Sequence, residues 1–392
     1  MKINKHNPVH WCQLATFALQ AVIGLLFRPF RKKSAIVLYG HKLNGNLLPI
    51  YQRCPSAIFL SMDRAYCREL QYAGIRSQWA CSPRAAALLA RTLAIISDHG
   101  LHSLEIMLPA YRKAGLRCID VWHGIPFKGF DINDFRLQHE YDEIWVASTS
   151  QRSLWIEKFG FSPDKVHATG YMRTDRLILR TADESIAKLQ LGLDPSTCGK
   201  TILFAPTWTQ DDEGRSIYPF GCNEQQFLAA LSALAVDHGA TILLRSHLNT
   251  GAKPSPALPR IVSLPSTIYP DAESILLASD VLVCDWSSIA FDFLLLDRPT
   301  LFLDVPPPFR KGFSLGPEYR FGSIVKDLHG LLRMLEMCIN QPRTYWQAHE
   351  IHHQDIKERV YGNMADGNAT ENCIARLRKI SGKPETRALS SR

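Results

Sequence analysis

Cys118-Ile119-Asp120-Val121-Trp122-His123-Gly124-Ile125-Pro126-Phe127-Lys128 sets a histidine and a lysine on a Gly/Pro turn directly after a short apolar run. The run Cys118 to Trp122 is bounded by turn residues, so it reads as a buried strand of an α/β sheet. Its carboxyl end delivers His123 to the crevice where open α/β sheets bind ligands. A histidine there can take a proton near neutral pH. Standing alone, His-Gly would read as a strand-end cap, and matching segments downstream tip the balance toward a site.

On either side of this stretch, short apolar runs alternate with helical patterns. Ala35 to Tyr39, Ala57 to Met62, Leu93 to Ser97, Glu143 to Ala147 and Val166 to Thr169 read as further strands, with helices such as Arg84 to Arg91 and Ser150 to Phe159 between them. That is a βα series of the doubly wound kind. Thr181 to Lys200 is more polar, lacks a strand and suits a domain boundary. A second series follows: Thr201 to Ala205, Ala240 to Arg245, Arg260 to Ser263, Val281 to Asp285 and Thr300 to Asp304, with helices such as Glu224 to Val236 and Asp271 to Ala278. The expected fold is α/β, with two Rossmann-like domains facing across a cleft. The expected division is 1–33, an N-terminal helix with a basic cluster; 34–180; 181–380; and a basic tail, 381–392.

A chain of 392 residues, 46% hydrophobic, has room for two cores of ordinary domain size. Its ten cysteines are scattered singly, without a Cys-x-x-Cys pair, which reads as reduced thiols of a cytoplasmic protein, with no zinc site and no disulfide framework. With 45 Lys+Arg against 37 Asp+Glu the formal net charge is +8, and part of the excess lies at the two ends. Anionic partners are implied. Nucleic acid is not among those expected, because no helix-turn-helix, zinc-finger or RNA-binding aromatic motif is present. An anionic membrane surface fits better, since Arg28, Arg31, Lys32 and Lys33 follow the apolar stretch Val9 to Phe27. In that stretch His10, Gln13, Thr16, Gln20 and Gly24 recur every three or four residues. Such a polar stripe argues for an interfacial helix, although the length is about that of a bilayer-spanning one. The basic cluster follows the apolar run, against the order of a signal peptide.

The second half concentrates polar residues at strand ends. One run ends in Thr207 and Trp208, another in Arg245, Ser246 and His247, and a third runs through Asp285, Trp286, Ser287 and Ser288 into the helical pattern Ile289 to Leu296. Hydroxyls and backbone N–H groups at such a turn can cradle phosphate oxygens. Alone, Asp-x-Ser-Ser is explained equally well as a helix N-cap. An arginine, two histidines and this turn, all at strand ends, are harder to dismiss together.

With these segments in hand, the chain resembles the CDP-glycerol glycerophosphotransferases that build teichoic acids and related polyol-phosphate polymers. The resemblance rests on an ordered set: Gly40 to Asn46, Trp122 to Lys128, Gly170 to Asp175, Ala205 to Trp208, Arg245 to His247 and Ser279 to Asp292. Ile125, Met172, Thr174, Thr209 and Trp286 depart from that family's usual pattern, while the histidines, Lys128, Arg173, Asp175 and both serines are in place. The resemblance implies a GT-B architecture, a CDP-glycerol or other CDP-polyol donor bound mainly by the second domain, and a lipid-linked glycan acceptor. It implies neither a metal nor a cofactor, and a peripheral position on the cytoplasmic face of the membrane.

The chemistry so implied is attack of an acceptor hydroxyl on the β-phosphorus with departure of CMP. His123 is the expected general base. Arg245, His247, Ser287 and Ser288 would hold the pyrophosphate, with His247 counted as catalytic beside His123. Lys128, Arg173, Asp175, Thr207, Trp208, Asp285 and Asp292 complete the expected substrate-binding set, and Arg173 and Asp175 read equally as a structural ion pair. The alternatives are a GT-B glycosyltransferase using a nucleotide sugar, separable by the nucleotide released, and a non-catalytic membrane- or glycan-binding protein.

Overall fold

The computed structural model describes residues 6–180, 184–207, 218–245 and 258–382. The chain divides into two compact units: 1–123, 135–173 and 368–392 form the first, and 124–134 with 174–367 the second. Among the described residues each unit is built on one parallel sheet. In the first unit the strands are β1 (Ala35–Tyr39), β2 (Ala57–Ser61), β3 (Ser77–Trp79), β4 (Thr92–Ser97), β5 (Arg117–Asp120), β6 (Glu143–Val146) and β7 (Val166–Ala168), in the order β3-β2-β1-β4-β5-β6-β7. The second unit holds β8 (Thr201–Phe204), β9 (Thr241–Leu244), β10 (Ile261–Ser263), β11 (Val281–Cys284), β12 (Thr300–Leu303) and β13 (Ser323–Val325), in the order β10-β9-β8-β11-β12-β13. Central strands such as β1, β6, β8, β9, β11 and β12 are buried at every residue, as expected of a sheet covered by helices on both faces.

Both sheets share one topological feature. The chain winds outward from β1 to β3 and then returns to lay β4 on the other side of β1; it repeats this around β8 and β11. The carboxyl ends of β1/β4 and of β8/β11 are therefore switch points, where successive connections diverge and leave a crevice. Register places Val37 beside Ile95 in one sheet and Leu282 beside Leu203 in the other.

The division differs from the one expected at 180/181. The helix Ala369–Ile380 returns to the first unit, where Cys373, Ile374 and Leu377 join the core formed by Leu47, Ile50, Phe59 and Ile96. Arg376 fastens it from outside by pairing with the buried Glu143, Nε to Oε2 at 2.5 Å and Nη2 to Oε1 at 3.0 Å. In the other direction, 124–134 leaves the first unit. Gly129 N donates to Gly312 O at 2.7 Å, Ser314 N donates to Phe127 O at 3.0 Å, and the Phe127 ring packs 5.0 Å from that of Phe291. A Cβ on Gly129 would come within 2.2 Å of the Lys311 carbonyl oxygen, so this close approach of backbones requires glycine.

The N-terminal helix is Pro8–Phe27, started by the Asn7 side chain, which accepts from Val9 N, and by proline in its first turn. Its polar stripe is split rather than facing water throughout: Thr16 is exposed, and His10 and Gln13 are half-buried. Gln20 and Gly24 are buried together with Phe17 and Ala21, and the helix packs on Pro83–Arg91. Tyr111 donates to Ala21 O at 2.7 Å, and a Cβ on Gly24 would lie 2.5 Å from the Tyr111 hydroxyl. Small and polar residues face inward because the two helices approach closely there. Trp11, Leu19, Val22, Leu26, Phe27 and Phe30 are left exposed. Arg28 also departs from its expected place in a surface cluster: it is 1% exposed and donates to the carbonyls of Ala114, Leu89 and Thr92 at 3.0, 3.1 and 2.7 Å. It ties off helix and strand ends within the unit, which removes it from any surface charge.

Candidate functional site

In the first unit the β1/β4 switch point gathers histidines. His41 follows β1, His99 follows β4 and His123 lies beyond β5, with His102 beside them. The rings of His99 and His123 stack at 4.2 Å and 9°, and His41 lies 5.1 Å from His99 and 5.7 Å from His102. Among the described residues no group of three or more His, Cys, Asp or Glu side chains is arranged to hold a metal ion.

His123 is held from both sides. Its Nδ1 lies 3.0 Å from Asp98 O. A carbonyl only accepts, so Nδ1 carries the proton and a neutral ring presents Nε2 as a lone pair. Its own carbonyl accepts from Arg173 Nη1 at 2.6 Å, and Arg173 N donates to Asn46 Oδ1 at 3.2 Å. Asn46, 1% exposed, spends its amide N–H groups on Trp122 O at 2.8 Å and Val121 O at 3.2 Å. The expected strand stops two residues early, because Trp122 adopts φ 47°. A bulky residue in the left-handed region costs about 1–3 kcal/mol and persists only where its surroundings enforce it. Here Asp120 accepts from Trp122 N at 2.7 Å, and the Trp122 indole packs on Phe135 and Trp155. The strained turn aims His123 outward, and the histidine stays exposed to solvent.

Electrostatics sorts these groups. Desolvation lowers the pKa of His123 well below 6.5, and the positive charge of His99, Arg173 and His41 adds to that, with the Asp98 carbonyl opposing. Exposure of one edge tempers this without reversing it. Burial also opposes a charge on His99, but Asp98, whose carboxylate Oδ1 lies 2.9 Å from His99 Nδ1, overrides it and raises the His99 pKa. Below them Asp120 is completely buried, and desolvation pushes its carboxyl up to about 7 against the bonds from Trp122 N and Ser97. His99 thus holds a proton more readily than His123, its stacked neighbour.

In the second unit the β8/β11 switch point joins Thr207 to Asp285. Asp285, 3% exposed, accepts from Thr207 N at 2.7 Å, from Trp286 N at 2.6 Å and from the Thr207 hydroxyl. Its carboxylate clamps the two strand ends together. Ser287 and Ser288 follow, half-buried, before the short helix Ile289–Leu294; the Ser287 hydroxyl accepts from Ile289 N at 3.5 Å, while the Ser288 side chain makes no capping bond. Trp286 is a packing residue: its indole donates to Val305 O at 2.8 Å, with Phe313 at 4.8 Å and the Arg320 guanidinium 4.2 Å above it. Asp292 is buried in the first turn of the helix.

Arg245, after β9, turns its guanidinium onto backbone carbonyls, Nη1 donating to Tyr269 O at 2.5 Å and to Leu264 O at 3.4 Å. Lys128 is half-buried, its ammonium 5.5 Å over the Phe130 ring, and its carbonyl accepts from the Ser314 hydroxyl at 2.6 Å. Asp175 is buried in the helix Met172–Ile178. The unit boundary separates His123 from Lys128, and Arg173 from Asp175. Trp208 and His247 lie outside the described residues. Asp98, His99, Asp120 and Asn46 went unassigned in the sequence. Ser97-Asp98-His99-Gly100 has the same strand-end His-Gly form as His123-Gly124, and that signal alone would have found His99.

Residues 56–379 match the family model described as CDP-glycerol:poly(glycerophosphate) glycerophosphotransferase. The chain belongs to this family. A teichoic acid glycerol-phosphate transferase of Staphylococcus aureus (strain NCTC 8325 / PS 47) is 27% identical over 285 residues, 67% of this chain and 71% of that protein. A teichoic acid glycerol-phosphate primase of Bacillus spizizenii (strain ATCC 23059 / NRRL B-14472 / W23) is 28% identical over 210 residues, 48% of this chain and 51% of that protein. The solved structure of the wall teichoic acid polymerase TagF superposes with a TM-score of 0.72 at 18% identity, covering 95% of this chain and 97% of that one, a likeness of fold. The glycerophosphotransferase family is one of enzymes that move glycerol phosphate from CDP-glycerol, and this chain is such a transferase.

Proposed function

We propose that this glycerophosphotransferase passes glycerol phosphate from CDP-glycerol to a hydroxyl of a lipid-linked glycan at the cytoplasmic face of the membrane, releasing CMP. The observation that carries the mechanism is the fixed tautomer of His123, Nδ1 toward Asp98 O with Nε2 unprotonated. In this reading Nε2 takes the proton of the acceptor hydroxyl as its oxygen bonds to the β-phosphorus. The bond from that phosphorus to the bridging oxygen breaks, and CMP departs with the electron pair. Depression of the His123 pKa keeps the base free at neutral pH. Arg173 and Asn46 serve by positioning it.

The donor is assigned to the second unit. The Ser287 and Ser288 hydroxyls would meet its phosphates, with Thr207, Asp285 and Asp292 holding the loop that presents them, and with Arg245, Lys128, Asp175, Trp208 and His247 as further binding candidates. Phosphoryl transfer depends chiefly on such positioning and charge stabilisation. Peripheral attachment through the exposed apolar face of Pro8–Phe27 would bring the enzyme to its acceptor; the same helix is also long and apolar enough to cross a bilayer. The test is His123→Ala. Loss of a general base costs about 10²–10⁴-fold in rate, so CMP release should fall by that much while calorimetry finds CDP-glycerol affinity unchanged. Near-normal turnover would leave His123 a structural part.

A further inference from the structure

Away from the two switch points, the outer edge of the first unit carries a groove of about 490 Å³ lined by four arginines. Arg76 and its neighbours Ser77 and Gln78 come from the edge strand β3 and the turn before it. Arg84 and Arg91 lie seven residues apart on the helix Pro83–Arg91 and so share a face with Ala87 between them. Arg31 enters from the end of the N-terminal segment. All four are exposed. Only Arg76 is engaged through its guanidinium, which donates to Pro55 O at 2.6 Å and stacks on Tyr51 at 4.9 Å. Arg31, Arg84 and Arg91 have no side-chain partner among the described residues, and no acidic residue lines the groove.

We propose that this groove binds the phosphate of an anionic membrane lipid. Guanidinium forks gathered without a counter-charge repel one another, and a phosphate neutralises them with charge-assisted, bidentate hydrogen bonds. The lining holds no aromatic ring on which a base could stack, which argues against a nucleotide. The lipid source follows from what adjoins Arg31: Leu26, Phe27 and Phe30 are 67%, 55% and 82% exposed, so apolar side chains and a lining cation lie within six residues. A lipid offers both chemistries at once. The assignment deepens the membrane attachment proposed above and rests on it.

The test uses the full chain and flotation with vesicles of phosphatidylcholine alone or mixed with phosphatidylglycerol. Arg84→Gln with Arg91→Gln should weaken binding to the anionic vesicles roughly tenfold or more, with the melting temperature and CMP release on a soluble acceptor unchanged. Arg333→Gln with Arg343→Gln removes the same charge from exposed positions of the second unit and should have a much smaller effect. Equal loss in both pairs would mean diffuse attraction and overturn the site, as would unchanged binding in the groove variant. Inorganic phosphate separates the sources: if it raises the melting temperature of the wild type but not of the Arg84/Arg91 variant, while vesicle binding is the same for both, the ligand is a free phosphate and the lipid assignment fails. Absence of CMP release from the wild type would sink the transferase reading alone.

Discussion

As the proposed base, His123 depends on what surrounds it. Asp98 takes part twice, its carbonyl fixing the tautomer of His123 and its carboxylate holding a proton on His99, stacked 4.2 Å away. Protonation of His99 resists protonation of His123, since two like charges at that distance repel even with strong screening. Two consequences follow for the pH profile. The acid limb of kcat/KM in the wild type should lie below 6.5, because the His123 pKa is lowered from that value. His99→Asn removes the opposing cation but not the desolvation, so the limb should move upward, and activity at pH 6 should fall more than activity at pH 8. A variant that merely loosened the fold would lower the rate at every pH alike, and kcat/KM profiles from pH 5 to 9 separate the two outcomes.

At the scale of elements, the N-terminal helix has two faces with opposite demands. The inner face admits only small side chains where Gly24 meets Tyr111 and Ala86; Gly24→Leu should lower stability by about 1–3 kcal/mol through overpacking, read as a fall in denaturation midpoint. The outer face is apolar and unpacked. Phe27→Asp with Phe30→Asp should leave the midpoint unchanged and release the protein from vesicles. Retention on vesicles would move attachment elsewhere. The sequence showed a stripe here but not its direction, since periodicity defines faces and says nothing about which is met by another helix. Strands were legible wherever their apolar runs were long, as in Ala35–Tyr39 or Val281–Cys284. Ser77–Trp79 and Ser323–Val325 escaped because each opens on serine and offers no more than two apolar residues. Of the site, His123 and the clamp residues Thr207 and Asp285 were legible as strand-end polar groups. The hold of Asn46 and Arg173 on the His123 turn was not, because it joins residues 46, 121–123 and 173 through hydrogen bonds that no local pattern records.

For the whole molecule, the chain passes between the units at 123/124, 134/135, 173/174 and 367/368. Two of these passages cut through the stretches that the sequence presented as single motifs, Trp122 to Lys128 and Gly170 to Asp175. The last returns Ala369–Ile380 to the first core. A chain ending at Gly367 loses the burial of Cys373, Ile374 and Leu377 and leaves Glu143 buried without Arg376. Apolar burial alone puts the cost on the order of 5 kcal/mol, a large part of an ordinary domain's margin. Urea titration should show the first unit unfolding early, whereas an unchanged first transition would mean that the helix only decorates the surface.

That returning helix also sets an order of events during synthesis. Ribosomes deliver residues from the amino end, and domains generally fold as they emerge. The second unit, ending at Gly367, has left the ribosome before the first is whole, since the first core lacks Cys373, Ile374 and Leu377 until residues 369–380 leave the exit tunnel. The unit that receives the earliest of the described residues is also the one that receives the last helix of its core.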